Sequence, residues 1–230
     1  MPQTEISRLS APTPQTASDQ IFQVLYAAVI SLELPPGLKI SENEIAKQMN
    51  VSRQPVRDAF YRLSKLGFLL VRPQRAAQIT KISEQAVLDA VFLRTAIEVE
   101  CLRAAMEQIT DRDVESLRAN LAKQDMALKD PDPAVFHKLD ESLHEKLCAI
   151  SGHPHAWVLI QEQKAHMDRI RFLTLSKERR VSVLEEHTNL VEAIEKRDAG
   201  LAQVTLRSHL SQVRRDLTRI QKEFPDYFLG

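Results

Sequence analysis

Three histidines and an aspartate have the spacing of a metal site. Asp140 and His144 stand four residues apart in a stretch of helical periodicity, so they project from adjacent turns of one face and can share an ion. His187 and His209 lie eleven residues before and eleven after Asp198, the apex of an expected helical hairpin. In two antiparallel helices rising ~1.5 Å per residue, both fall roughly 16 Å from the turn and face each other at one level. Three imidazoles and one carboxylate form a nitrogen and oxygen donor set suited to a divalent transition metal, zinc or nickel first, with iron or manganese also compatible. The other four histidines lack such spacing. His137 is expected to be a solvated helix residue, and His153 and His155 capping or surface groups. His166 lies about as far beyond Gly152 as Asp140 lies before it, a place beside the ligands. The same ligands raise a rival reading, a metal-dependent hydrolase in which the ion activates water. Against it, four protein ligands leave little room for catalysis, and Glu141 and Glu186, each next to a ligand in sequence, point elsewhere on their helices.

A second chemistry sits near the start of the chain. The formal charge is zero, yet residues 1–82 hold ten Lys or Arg against six Asp or Glu. Within 47–81, eight basic residues face Asp58 alone. A local basic field on an acidic body suggests a module that binds a polyanion. Arg53 and Arg57 share a helix face at i, i+4, and a guanidinium pairs with guanine edges or with phosphates. Ser52 and Gln54 are placed to reach phosphate or base edges, while Val56, Ala59, Phe60 and Leu63 point inward. Arg75, near the tip of an expected hairpin, reaches an adjacent groove or backbone.

The elements that must position these groups are mostly helical. The chain has 230 residues, 43% hydrophobic and 27% charged, an ordinary globular composition. No apolar run approaches the roughly 18 residues of a membrane span and no signal peptide opens the chain, so a cytoplasmic protein is expected. Cys101 and Cys148 lack the spacing of a disulfide framework or a cysteine zinc site and are expected to be reduced and buried. Residues 1–17, with three prolines among polar residues, read as a flexible arm. Over 18–82 follow a helix capped by Ser18 or Asp19, a short helix from Glu42 with a capping box at Ser41 and Glu44, and a third helix of about 54–66 capped by Ser52. Residues 68–71 and 78–80 then form a two-stranded wing with its tip at 72–75. From 83 to 230 the pattern is helices only, at about 84–108, 111–129, 134–151, 154–175, 178–197 and 199–223. The fold class is therefore mainly α: an N-terminal winged helix-turn-helix followed by an antiparallel bundle of six helices. Trp157 and Phe172 are expected to pack inside it.

At residues 32–79 the sequence closely resembles the winged helix of GntR-family transcription regulators. The resemblance rests on Pro36-Gly37, Ile40, Glu44-Ile45-Ala46, Val51-Ser52-Arg53, Pro55-Val56-Arg57, Ala59, Leu63 and Gly67. It implies contacts to double-stranded operator DNA from Ser52, Arg53, Gln54 and Arg57, with a wing contact near Arg75; Ala76 departs from the glycine many relatives carry. Residues 83–225 resemble the FCD effector domain of the FadR-like branch, in its VanR-like six-helix arrangement, at Asp140-Glu141-Ser142-Leu143-His144, Glu185-Glu186-His187 and His209. His153 stands where that pattern usually has asparagine. This resemblance implies metal ligation by Asp140, His144, His187 and His209. It also gives Arg94, four residues before Glu98, a place in the effector cavity, where its guanidinium holds a carboxylate. A homodimeric, metabolite-responsive regulator is expected, a repressor released by a small organic acid bound at the metal. A regulator with a purely structural metal is the other reading the family allows.

Overall fold

The computed structural model describes residues 16–72, 75–174 and 176–229. They fall into two compact units that divide at Thr80–Lys81, with Ile30–Leu32 grouped with the second. Most of the expected arm, and Pro73 and Gln74 of the expected wing tip, lie outside the described residues.

The first unit holds helices α1 (Ala17–Ile30), α2 (Glu42–Gln48) and α3 (Arg53–Lys65) and strands β1 (Lys39–Ile40), β2 (Leu69–Leu70) and β3 (Ala77–Ile79). Helix α1 starts earlier than expected because Thr16, not Ser18 or Asp19, caps it: the Thr16 hydroxyl accepts from Asp19 N at 3.1 Å while the Asp19 carboxylate accepts from Thr16 N at 3.1 Å. Three antiparallel strands in the order β1-β3-β2 replace the expected two. The added strand is two residues long, too short to show an alternating pattern; it pairs Lys39 with Gln78 and Ile40 with Ala77. Ser41 and Ser52 have the extended backbone of N-cap residues, but neither side chain makes a cap bond, contrary to expectation. Asn50 turns the chain from α2 into α3 with φ of +53°, a left-handed conformation that Asn tolerates. Gly67, at φ +78°, ends α3 and lets Phe68 N reach back to Leu63 O at 2.9 Å. Val56, Ala59, Phe60 and Leu63 form the buried face of α3. Arg62 closes α3 onto α1, lying 3.8 Å over the Phe22 ring and bonding Asp19 at 2.8 Å.

The second unit consists of α4 (Glu84–Gln108), α5 (Asp111–Ala127), α6 (Pro133–Ile150), α7 (His155–Thr174), α8 (Lys177–Glu195), α9 (Ala199–Glu223) and a final 3-10 turn, Pro225–Tyr227. Side chains cap five of the six helices, among them Thr110 and Asp113 in a complete capping box and Asp198 at the α8–α9 hairpin. Among the described residues no helix is long and apolar enough to cross a membrane.

Two apolar clusters share the long helices. One takes Val99 and Leu102 of α4, Leu143 and Leu147 of α6, Leu190 of α8 and Leu206 of α9. The other takes Val87 and Val91 of α4, Met167 and Ile170 of α7 and Val213 and Leu217 of α9. Between them along α4 fall Arg94 and Glu98, and along α9 the boundary falls just beyond His209. The polar groups thus form a layer inside the bundle. At its far end Ile82, just before α4, forms a parallel bridge with Phe228, with Ile82 N donating to Tyr227 O at 2.8 Å and Leu229 N to Ile82 O at 3.0 Å.

Candidate metal centre

Helix α6 presents Asp140 and His144, α8 presents His187, and α9 presents His209. All four are buried, and one ligand atom from each lies within 4.8 Å of the others. His187 and His209 face each other across the hairpin as their equal distances from Asp198 require, Nε2 to Nε2 at 3.3 Å. His187 Nε2 is also 3.4 Å from Asp140 Oδ1. The His144 ring stacks on that of His209, with centroids 5.2 Å apart.

Each imidazole is held from behind. His144 Nδ1 lies 2.5 Å from Glu98 Oε2, His187 Nδ1 2.9 Å from Gln124 Oε1, and His209 Nδ1 2.7 Å from Glu186 Oε2. Gln124 is itself oriented, its amide nitrogen donating to Asn120 Oδ1 at 2.7 Å, which leaves its oxygen to accept. With oxygen acceptors at all three Nδ1 positions, the protons sit there and the Nε2 lone pairs converge. His144 Nε2 is buried and has no hydrogen-bond partner among the described residues, a cost that a ligand to that nitrogen removes.

The electrostatics match this protonation. Burial pushes His187 and His209 below the ordinary imidazole value, His209 to about 4, so both are neutral near pH 7. Burial alone would raise the Asp140 carboxyl, but Arg171, His144 and His187 hold it well below the usual carboxylate range. Arg171 does so directly, bonding Asp140 Oδ2 at 2.7 Å. Glu98, opposed in the same way by burial, is held at about 2 by Arg94 and His144. Arg94 is buried. Its Nε donates to Glu98, and Nη1 and Nη2 have no partner among the described residues. A narrow cleft lined by Phe136, His137, Asp140, Arg171, Arg179 and His209 opens on this layer.

Several groups differ from expectation or were not foreseen. His137 is not solvated: it is 8% exposed, its ring 5.2 Å from that of Phe172 and its Nε2 3.5 Å from Glu141 Oε1. Its place on the inner face of α6, one turn before Asp140, accounts for this. His166 is half-buried and outside the four-residue cluster, whereas His153 and His155 are exposed. Cys101 and Cys148 are free and buried beside Trp157. Glu186, expected to point away from the ligands, instead holds His209, and Gln124, Arg171, Lys164 and Asp168 were not anticipated. The available signal was Lys164 and Asp168 at i, i+4 among the apolar residues Trp157, Ile160, Met167 and Ile170 of α7.

In the first unit, Arg53 and Arg57 come together at the start of α3: their guanidiniums lie 3.6 and 3.5 Å from the Glu42 carboxylate, with about three-fifths of each side chain exposed at 59% and 57%. Gln54 bonds Asp58 at 2.9 Å, the Ser52 hydroxyl is not spent on a cap, and Arg75 is exposed beside β3.

Comparison with known proteins agrees with both halves. The family of bacterial regulatory proteins called gntR matches residues 17–79, and the FCD domain matches residues 89–212. The Escherichia coli HTH-type transcriptional repressor RspR is 33% identical over 93% of this chain and 94% of its own. A Streptomyces ambofaciens HTH-type regulator from an unstable DNA locus is 35% identical over 93% of this chain and 90% of its own. Among solved structures, Escherichia coli McbR/YncC has the same fold, with a TM-score of 0.73 at 19% identity over 89% of this chain and 98% of that one. The matched proteins are transcription regulators, which sets the hydrolase reading aside.

Proposed function

The chain belongs to the GntR family of bacterial transcription regulators, with an FCD domain behind its winged helix, and from that premise we propose that it is a cytoplasmic, homodimeric, metal-dependent repressor released from operator DNA by a small carboxylic acid. The observation that carries this reading is the set of three imidazoles, each held at Nδ1 by an oxygen, gathered with Asp140 so that one ligand atom from each lies within 4.8 Å of the others. Asp140, His144, His187 and His209 would hold one divalent transition metal, zinc or nickel for preference, since the set is three nitrogens and one oxygen. When bound, such an ion supplies positive charge and a coordination position open to a carboxylate.

The protein's own groups favour an anion there. In this layer Arg94 is paired with Glu98, Lys164 with both Asp168 and Glu141, and the half-buried Arg171 with Asp140. A divalent cation added to that balance leaves the layer positive until an anion enters. Arg94 is the second anchor: Glu98 holds its Nε and so aims the two remaining nitrogens, a fork that fits a carboxylate. The cleft's free volume of about 30 Å³ holds one or two water molecules, so an acid enters by displacing side chains. That displacement gives the acid different affinities for the DNA-competent and DNA-incompetent arrangements, without which binding cannot shift their populations. A tenfold difference corresponds to about 1.4 kcal/mol.

On the DNA side, Ser52, Arg53, Gln54 and Arg57 read the major groove and Arg75 reaches the neighbouring groove or backbone. Repression is proposed because the Escherichia coli relative is a repressor.

Elemental analysis of the purified protein, with thermal-shift screening of small organic acids before and after chelation, tests the sensing half. Near one transition metal per chain, and an acid whose stabilisation disappears on chelation, is the expected result. An acid that stabilises equally after chelation would reduce the ion to a structural role. Absence of bound metal and of metal uptake would remove the sensing mechanism.

A further inference from the structure

The two cysteines take no part in the metal centre, yet the fold brings them together. Cys101 of α4 and Cys148 of α6 form a small buried cluster with Trp157 and Ile160 of α7, and Ile97 and Ala156 pack against it. The Cys148 thiol donates a hydrogen bond to the Cys101 sulfur.

The approach of the two thiols is fixed from both sides. Glu98 Oε2 lies 2.5 Å from His144 Nδ1, three residues before Cys101 on one helix and four before Cys148 on the other. Past the thiols, Gln108 Nε2 donates to Ile150 O at 2.8 Å. Both contacts advance along α4 and α6 in the same direction, so the cysteines occupy the turn between two cross-links. A buried cysteine can serve as a small apolar residue, but packing alone does not require two thiols to face each other.

The pair is also unequal. Cys101 is 5% exposed and Cys148 0%, so a small oxidant meets Cys101 first. The hydrogen bond from Cys148 holds the Cys101 thiol below its ordinary value, against burial and the charges of Glu98 and Glu100, and the same bond pushes Cys148 up. One thiol is thus prepared to attack and the other to resolve.

We propose that Cys101 and Cys148 are a peroxide-reactive thiol pair that closes to an intramolecular disulfide between α4 and α6. The Cys101 sulfur attacks one oxygen of hydrogen peroxide; the O–O bond breaks, a sulfenic acid forms, and the second oxygen leaves as water with the thiol's proton. The Cys148 sulfur then attacks the sulfenic sulfur; the S–O bond breaks, the S–S bond forms, and the hydroxyl leaves as water with the Cys148 proton. Two thiols and one peroxide give one disulfide and two waters. In a reducing compartment such a bond is transient, opened again by exchange with a small thiol, which is the behaviour of a sensor rather than a structural staple. It ties the two helices one turn beyond the Glu98–His144 contact, and its formation requires neither metal nor acid.

The test treats the full chain with a modest excess of hydrogen peroxide, removes the peroxide with catalase, then denatures and alkylates. The product should be lighter than the untreated chain by two hydrogens, should take up no alkylating agent, and should give on digestion one species joining the Cys101 and Cys148 peptides. Trp157, the chain's only tryptophan, lies in the same cluster, so its emission should fall as the disulfide forms and recover with dithiothreitol. Cys148→Ser should lose the cross-link and stop at a sulfenic acid on Cys101, captured by dimedone, whereas Cys101→Ser should lose both. Should Cys148→Ser fail to fold, Cys148→Ala avoids burying a hydroxyl and should behave in the same way. Thiols that both remain open to alkylation after peroxide, or a cross-link that joins separate chains and grows with protein concentration, would overturn the proposal. Dimedone capture on Cys148 in Cys101→Ser, as fast as on Cys101 in Cys148→Ser, would overturn the order of attack. None of these outcomes depends on whether the four ligands hold a metal.

Discussion

Each imidazole of the centre is defined by the oxygen behind it as much as by the space in front. Replacing His187 or His209 with Ala should sharply reduce bound metal in elemental analysis; full occupancy in both variants would rule out the ligand set. Gln124→Ala keeps all four ligands but frees the His187 ring, and should weaken metal binding about 10- to 100-fold in a competition titration. Protonation gives a further prediction for the metal-free protein. His209 titrates near 6.5 when unfolded and near 4 when folded, and His187 is shifted the same way. Between those values the unfolded chain binds protons that the folded chain refuses, so stability is complete above about pH 6.5 and falls as the pH drops toward 4. From His209 alone the loss by pH 5 is about 2 kcal/mol, visible as a lower urea midpoint; an unchanged midpoint between pH 7 and 5 would contradict the buried neutral imidazoles. Asp140 and His144 were legible from a four-residue spacing, and His187 and His209 from symmetry about Asp198. Gln124 and Arg171 were not, because their partners lie 63 and 31 positions away and only the packing of the helices joins them.

At the scale of elements, α3 is a rigid arm for its first turn. Arg53→Ala with Arg57→Ala should abolish specific operator binding in a gel-shift assay while leaving metal content unchanged. The salt dependence of residual binding should fall by up to about two charges if both contact phosphate. Unchanged DNA affinity would overturn the assignment of α3 as the recognition helix. Thr110→Ala removes a capping box that the structure shows complete, and should cost about 1 kcal/mol in denaturation. Thr110-Asp111 and Asp198 could be read in advance because a cap is a local pattern. Ser41 and Ser52 carry the same signal without the bond, and β1 exists only because β3 lies beside it. His137 illustrates the same limit: whether a helical histidine is wet or dry depends on which face of α6 meets α7.

At the scale of the molecule, the proposed metal and acid would act as ligands of the folded state alone. Metal at a hundredfold excess over its dissociation constant should add about 2.7 kcal/mol to stability, read as a higher thermal midpoint that chelation reverses. A two-fold dimer predicts two operator half-sites, spaced by about one helical turn or a multiple of it, in a footprint.

The bridge between Ile82 and Phe228 bears on the order in which the protein is made. The winged helix is complete in sequence by Thr80, but the backbone partner of Ile82 emerges from the ribosome about 150 residues later, roughly 10–30 s at ordinary rates of synthesis. For that interval the nascent chain carries its whole DNA-reading module while the sensing bundle is unfinished. On the proposed function, a newborn chain would be equipped to recognise an operator before it is equipped to respond to a signal, and pairing with a second chain would delay its first action until both are finished.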